Sequence, residues 1–335
     1  MLVPRQAAHG KGRAVLHASG TEAIFSELSY QYPLKLLSPD THADIPLAIA
    51  YILSYGGGLV SGDRIELDVD VGLHSMLMLL TQGSTKVFKT RSRGSHVSTS
   101  SISNASGKTT QSLTARIRPN ALLLLLPDPV TCFESSSYSQ TQTFYLESVS
   151  SSAVILDWFT SGRMARGEEW DFERYRSVNE VWIAGRRIAR DVMLLEQSSG
   201  SRHSPTSQLD TPPYIPLPSR SLADRLRPYA CYATLFLFGP QTEKIIVSLS
   251  CAYDALSQMQ IAQPDPLIWS ISRLTLKEDS AKDSEDSLHE QGGRGNGAIV
   301  RVAGMLTELV RNWLRASLGE LEDVVGVDSF RTAFA

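Results

Sequence analysis

Between Arg64 and Val71 the chain alternates without a break: Ile65, Leu67, Val69 and Val71 are apolar, while Arg64, Glu66, Asp68 and Asp70 are charged. A period of two marks a β-strand with one buried face. Short segments of the same kind are predicted at residues 76–82, 87–90, 109–118, 122–126, 141–146, 153–158, 180–183 and 187–195. Further strands are predicted at Cys231–Phe238 and at residues 244–249, 267–276 and 298–302. Helices are few. Residues 305–318 carry Leu306, Leu309, Val310, Trp313 and Leu314 at helical spacing, with Glu308, Arg311 and Arg315 for the wet face. Residues 252–262, ended by Pro264, form a weaker helical pattern.

Many short strands punctuated by Gly, Pro, Ser and Asn predict a mainly β fold: a sandwich, a barrel or a stack of sheets. Two stretches break the pattern. Residues 197–221 are rich in Ser and Pro, and residues 277–297 are polar, acidic and then glycine-rich. Both are expected to be flexible surface insertions within one large domain spanning residues 1–335.

Composition adds to this only by exclusion. At 42% hydrophobic and 20% charged residues the chain reads as globular. A net charge of −3 supplies no positive field to draw nucleic acid or an anionic membrane. The apolar run at residues 121–126 stops at Pro127 and Asp128, far short of the roughly 18 to 20 residues that span a bilayer. The first residues lack the apolar segment of a secretory signal, so the cytoplasm is the expected compartment. Cys132, Cys231 and Cys251 show no paired spacing and read as buried free thiols.

Several motifs invite chemistry. Gly57 to Gly62 has the outer spacing of a phosphate loop, but Asp63 stands where such a loop needs Lys, so a turn is the better reading. Gly107-Lys108-Thr109-Thr110 resembles the tail of one, lacks the leading glycine, and reads as a hairpin turn. Residues 81–87 gather Thr81, Gln82, Ser84 and Lys86 after an apolar strand, a pattern suited to hydrogen bonding at a strand end. Residues 157–170 pack Asp157, Glu168 and Glu169 with Arg163 and Arg166 around Gly162, Gly167 and two tryptophans. Arginines beside carboxylates keep them ionised, which favours an ion-paired loop over a general acid. His9, His17, His42, His74, His96, His203 and His289 never fall three or four apart, so no dedicated metal site is visible.

Taken in order, YGGGLVSGDRIELDVDVG, TQGSTKVFKT, LPDPVTCF and LDWFTSGRMARGEEWDF resemble the UreD (UreH) family of urease accessory proteins. The resemblance implies a non-catalytic scaffold of stacked, β-helix-like sheets with about two helices. It further implies binding to apo-urease and to UreF, with UreG reached through UreF, and nickel carried transiently with no stably held cofactor. Carried over by motif, the candidate positions are Gly57, Gly58, Gly62, Asp63, Thr81, Gln82, Ser84, Lys86, Pro127, Asp128, Asp157, Gly162, Arg163, Arg166, Gly167, Glu168 and Trp170. Among them Asp63, Asp128 and Glu168 are the expected contributors to a polar nickel passage or its mouth, while Arg163, Arg166 and Trp170 are expected to shape a loop and an interface. The alternatives are a carboxylate-based hydrolase built on residues 157–169 and a β-rich recognition module.

Overall fold

The computed structural model describes residues 9–39, 45–89, 107–197, 220–256, 264–275 and 296–334. Within them the strands are β1 Lys11–Ser19, β2 Glu22–Tyr30, β3 Leu34–Leu37, β4 Leu47–Ser54, β5 Arg64–Val71, β6 Met76–Leu80, β7 Thr85–Val87, β8 Thr109–Ile117 and β9 Leu122–Leu125. They continue as β10 Val130–Cys132, β11 Ser137–Leu146, β12 Ser152–Thr160, β13 Arg174–Ile183, β14 Arg186–Glu196, β15 Cys231–Phe238, β16 Leu267–Thr275 and β17 Asn296–Gly304. The helices are α1 Leu222–Leu226, α2 Glu243–Asp254, α3 Thr307–Ser317, α4 Glu322–Val325 and α5 Val327–Ala333.

One sheet has the order β14-β13-β11-β8-β5-β1-β2, and the other runs β16-β17-β15-β12-β9-β6-β4-β3. From β4 to β13 the chain passes back and forth between them, so strands next to one another in each sheet are parallel. The result is a coil, one strand per sheet per turn. A third, short ladder closes one side: Leu59 bridges Val87, β7 pairs with β10, and β10 with the end of β12. Antiparallel strands finish the sheets, with β2 and β14 on the first and β3, β15, β17 and β16 on the second.

The alternation seen at Arg64–Val71 is β5, whose Ile65, Leu67, Val69 and Val71 face the second sheet. The second sheet is apolar on both faces. On β9, Leu123 and Leu125 join the cluster between the sheets, whereas Leu122 and Leu124 join a cluster behind it. That rear cluster is covered by Ile245, Ile246 and Leu249 of α2 and by Val310 and Leu314 of α3. Strands buried on both faces read as continuous apolar runs, which is why residues 122–126 show no alternation.

The structure corrects several expectations. Residues 244–249 are helical, within α2, and not a strand. Gly239 and Pro240 end β15, and a helix puts Ile245, Ile246 and Leu249 on one face, where a strand would split them. The helix stops at Asp254, and residues 257–262 lie outside the described set. Gly107 and Lys108 lead into β8, which is parallel to both neighbours, so no hairpin forms there. Strands β1, β2, β3 and β10 are additions to the predicted set, as are α1, α4 and α5. Most of both expected insertions lies outside the described residues, although Ser221 caps α1 and Gly297 belongs to β17. No helix among the described residues is long and apolar enough to cross a membrane.

Leu124→Ala, at a fully buried position in the rear cluster, is expected to cost about 2–5 kcal/mol in urea unfolding. Thr141→Ser, on the outward face of β11, should stay within about 0.5 kcal/mol.

Candidate functional site

The motif residues gather on the loops at one end of the coil. After β4 a tight turn carries Gly57, and the chain then passes so close to β7 that a Cβ on Gly58 would lie 2.7 Å from the Lys86 carbonyl oxygen. Only glycine fits that approach. Leu59 N–H donates to Lys86 O at 2.8 Å, and Phe88 N–H donates to Leu59 O at 2.9 Å. Gly62 takes a positive φ of 90° in the next turn, where Asp63 Oδ2 accepts from Val60 N–H at 2.8 Å. The turn expected in place of a phosphate loop is therefore present, with Asp63 as its clasp.

A second knot joins the ends of β6 and β9. Thr81 Oγ1 accepts from Asp128 N–H at 2.7 Å, and Asp128 Oδ2 accepts from Gly83 N–H at 2.9 Å. Arg311 of α3 donates to Asp128 Oδ1 at 2.6 Å. Pro127 O accepts from Trp158 Nε1 at 2.7 Å, and Gln82 is exposed at the rim.

In the third cluster Arg163 holds Glu168 through two donors, its Nε at 2.8 Å. Glu134 N–H adds a third contact to Glu168 at 3.3 Å. Gly162 packs against the Glu168 carbonyl, and Gly167 closes the turn Met164–Arg166. Glu169 pairs with Arg227. Trp170 is fully buried, its ring 6.2 Å from Phe159 and 5.8 Å from Tyr232. It anchors the loop from inside, so any part it has in an interface is through the loop that it supports. Ser84, Lys86 and Arg166 face an open concavity beside Gly57.

Asp63, Asp128 and Glu168 thus take three separate sets of partners, and among the described residues no three of His, Cys, Asp or Glu converge as a metal-holding group. Asp157, Glu168 and Glu169 likewise share no partner, which leaves a paired-carboxylate hydrolase without its pair. Cys132 and Cys231 are buried, and burial pushes both thiols up to about 12, so neither offers a thiolate at neutral pH. Cys251 is free but exposed, contrary to the expectation of burial.

Asp157 is different. It lies on β12 between Leu156 and Trp158, which pack into the rear cluster, so its own side chain points between the sheets. There it accepts from Ser177 Oγ at 2.6 Å and Asn179 Nδ2 at 2.6 Å, both on β13, and from Gln140 Nε2 at 3.1 Å on β11. Burial raises its carboxyl above the ordinary range, although the three donors pull it back. It nevertheless keeps water-accessible surface, while Ile155 and Phe159 on the same face are closed. Asn179 Oδ1 and Gln142 Oε1 nearby have no hydrogen-bond partner among the described residues. The row continues along the second sheet through Thr234, opposite Asp157, to Arg301, whose guanidinium donates to Asp191 Oδ1 at 2.6 Å. Gln140, Gln142, Ser177, Asn179 and Thr234 were not among the candidates read from sequence. Their signal was a polar residue at every second position of an otherwise buried strand, as in Ser177 and Asn179.

Set against known proteins, the sequence that builds this coil falls in the class of urease accessory proteins. A protein of Cryptococcus neoformans named urease accessory protein 4 is 37% identical over 322 residues, covering 91% of this chain and 88% of its own length. Urease accessory protein D of Arabidopsis thaliana is 34% identical over 325 residues, covering 94% and 97%. UreD of Sorangium cellulosum is 31% identical over 326 residues, covering 96% and 83%. Residues 8–330 match the family described as UreD urease accessory protein, and the chain belongs to that family.

Glu168 and Asp157 have opposite pH signatures. Arg163 holds the Glu168 carboxyl below its ordinary range, so the pair stabilises the fold at neutral pH and that stabilisation is lost as pH falls through the lowered value. Ionised Asp157 costs stability above its raised value, and the cost disappears as pH falls through it. In thermal melts taken from neutrality into the acid end of the carboxylate range, the advantage of the wild type over Glu168→Gln should shrink. Over the same range the wild type should gain on Asp157→Asn.

Proposed function

We propose that this chain is a cytoplasmic, non-catalytic scaffold of urease maturation that binds apo-urease and UreF, meets UreG through UreF, and hands nickel onward. Membership of the UreD family supports the role. The observation that carries the transfer step is the polar row inside the coil, centred on Asp157 and its partners Gln140, Ser177 and Asn179. We place the passage there, and not at Asp63, Asp128 and Glu168, because those carboxylates fasten loops, Asp63 to a turn amide and Asp128 and Glu168 to arginines, whereas Asp157 faces between the sheets beside oxygens of Asn179 and Gln142 that have no partner among the described residues.

The donor set suits a cargo that must leave again. Asp157, Asn179 Oδ1 and Gln142 Oε1 present oxygens, and nickel prefers nitrogen and sulfur ligands for tight binding. An oxygen-lined path binds an ion strongly enough to admit it and weakly enough to release it. The walls that enclose the path also keep the ion from competing ligands in solution.

Urease co-expressed in a heterologous host with its accessory set should lose both bound nickel and ureolysis when this chain is omitted, and regain both when it is returned. Full activation without the chain, with all else matched, would remove the proposed role.

A further inference from the structure

The short third ladder of the coil builds a concavity of about 500 Å³ that the interior row does not use. Its floor is Phe88 and Phe133, packed edge to face with centroids 5.3 Å apart. Ser84, Lys86, Thr131, Arg163 and Arg166 complete the polar part of its lining, with Thr131 already hydrogen-bonded to Thr160. Backbone bonds fix the arrangement: Phe88 N–H is tied to Leu59 O at 2.9 Å and Phe133 N–H to Val87 O at 3.0 Å.

The charges do not balance. Arg163 lies 3.9 Å over the Phe133 ring and is neutralised by Glu168. Lys89 at the margin is neutralised by Glu134. Among the described residues Lys86 and Arg166 have no ion-pair partner, and no carboxylate lines the concavity. The result is two cations without an ion-pair partner lining an aromatic floor, beside a Ser84 hydroxyl that makes no hydrogen bond among the described residues.

We infer that this concavity binds a carboxylate carried on a hydrocarbon stem, supplied either by an acidic segment of a protein partner or by a free small dicarboxylic acid. The guanidinium fork of Arg166 matches a carboxylate with two parallel donors, and Lys86 adds a point charge. Ser84 Oγ supplies a further donor. The aromatic floor selects the stem. A hydrated inorganic anion gains nothing from Phe88 and Phe133, whereas the methylenes of a glutamyl side chain are removed from water against them. Glu168 occupies the Nε and Nη2 edge of Arg163 and neutralises its charge, so Arg163 serves chiefly to hold the wall in place.

Fluorescence anisotropy with the full chain and a labelled hexaglutamate peptide tests the inference, with glutarate and sulfate as competitors. The wild type should bind the peptide, and Lys86→Gln/Arg166→Gln should weaken binding by roughly tenfold or more, as for charge pairs removed from an interface. Lys244→Gln/Arg315→Gln, which removes the same net charge from the exposed faces of α2 and α3, should leave binding unchanged. Displacement by glutarate would identify a site for free dicarboxylates, and peptide binding that resists glutarate would identify a site for an acidic protein segment. Equal weakening in both double variants, displacement by sulfate as effective as by glutarate, or binding of neither peptide nor glutarate would each overturn the inference.

Discussion

Strand β12 carries apolar side chains on both of its faces, and the rest of the molecule is arranged to keep water from both. Ile155 and Phe159 face the first sheet, while Val154, Leu156 and Trp158 face the helices. A strand of this kind cannot sit in a one-sided sandwich. It requires a facing sheet and a covering helical layer, which appear as the sheet containing β11 and β13 and as α2 with α3, while β9 on one side and β15 on the other pair with its backbone. Against that requirement, a carboxylate on the inward face of β12 is costly to retain. Asp157 is tolerated because Ser177, Asn179 and Gln140 each donate to it, which commits residues of two other strands to the same place.

The loops and the interior divide the labour. Asp63 clasps a turn, Asp128 ties two strand ends to α3 through Arg311, and Glu168 locks the Arg163 loop. These carboxylates set the shape of one end of the coil and leave cations, not anions, facing its concavity. The interior row does the reverse, presenting oxygens inside a shell of hydrocarbon. The two proposals are thereby separable: the anion site rests on the loops and the nickel path on the interior, and neither uses the other's residues.

Much of the fold was legible in the sequence. The period of two at Arg64–Val71 and the apolar run of Cys231–Phe238 match strands residue for residue. Residues 244–249 misled because a short run such as Ile245-Ile246-Val247 fits either period, and only the sheet beneath α2 decides it. The loop ion pair was legible too, since Arg163 and Glu168 lie five apart in one motif. The contact of Asp128 with Arg311 spans 183 residues, and that of Asp157 with Asn179 crosses from one sheet to the other. Nothing local encodes such pairs. Motif membership singled out Asp63, Asp128 and Glu168 as well as Asp157, and it took the structure to separate an inward-facing carboxylate from three that fasten loops.

On this proposal the interior row, and not the carboxylates of the loops, carries the cargo. Its most direct test is the nickel bound by urease matured with Asp157→Leu in place of the wild-type chain, measured alongside co-purification of the chain with urease and UreF. Assembly unchanged with nickel lost is the predicted result, because leucine fills the space without supplying an oxygen. Assembly unchanged with nickel at the wild-type level would contradict it.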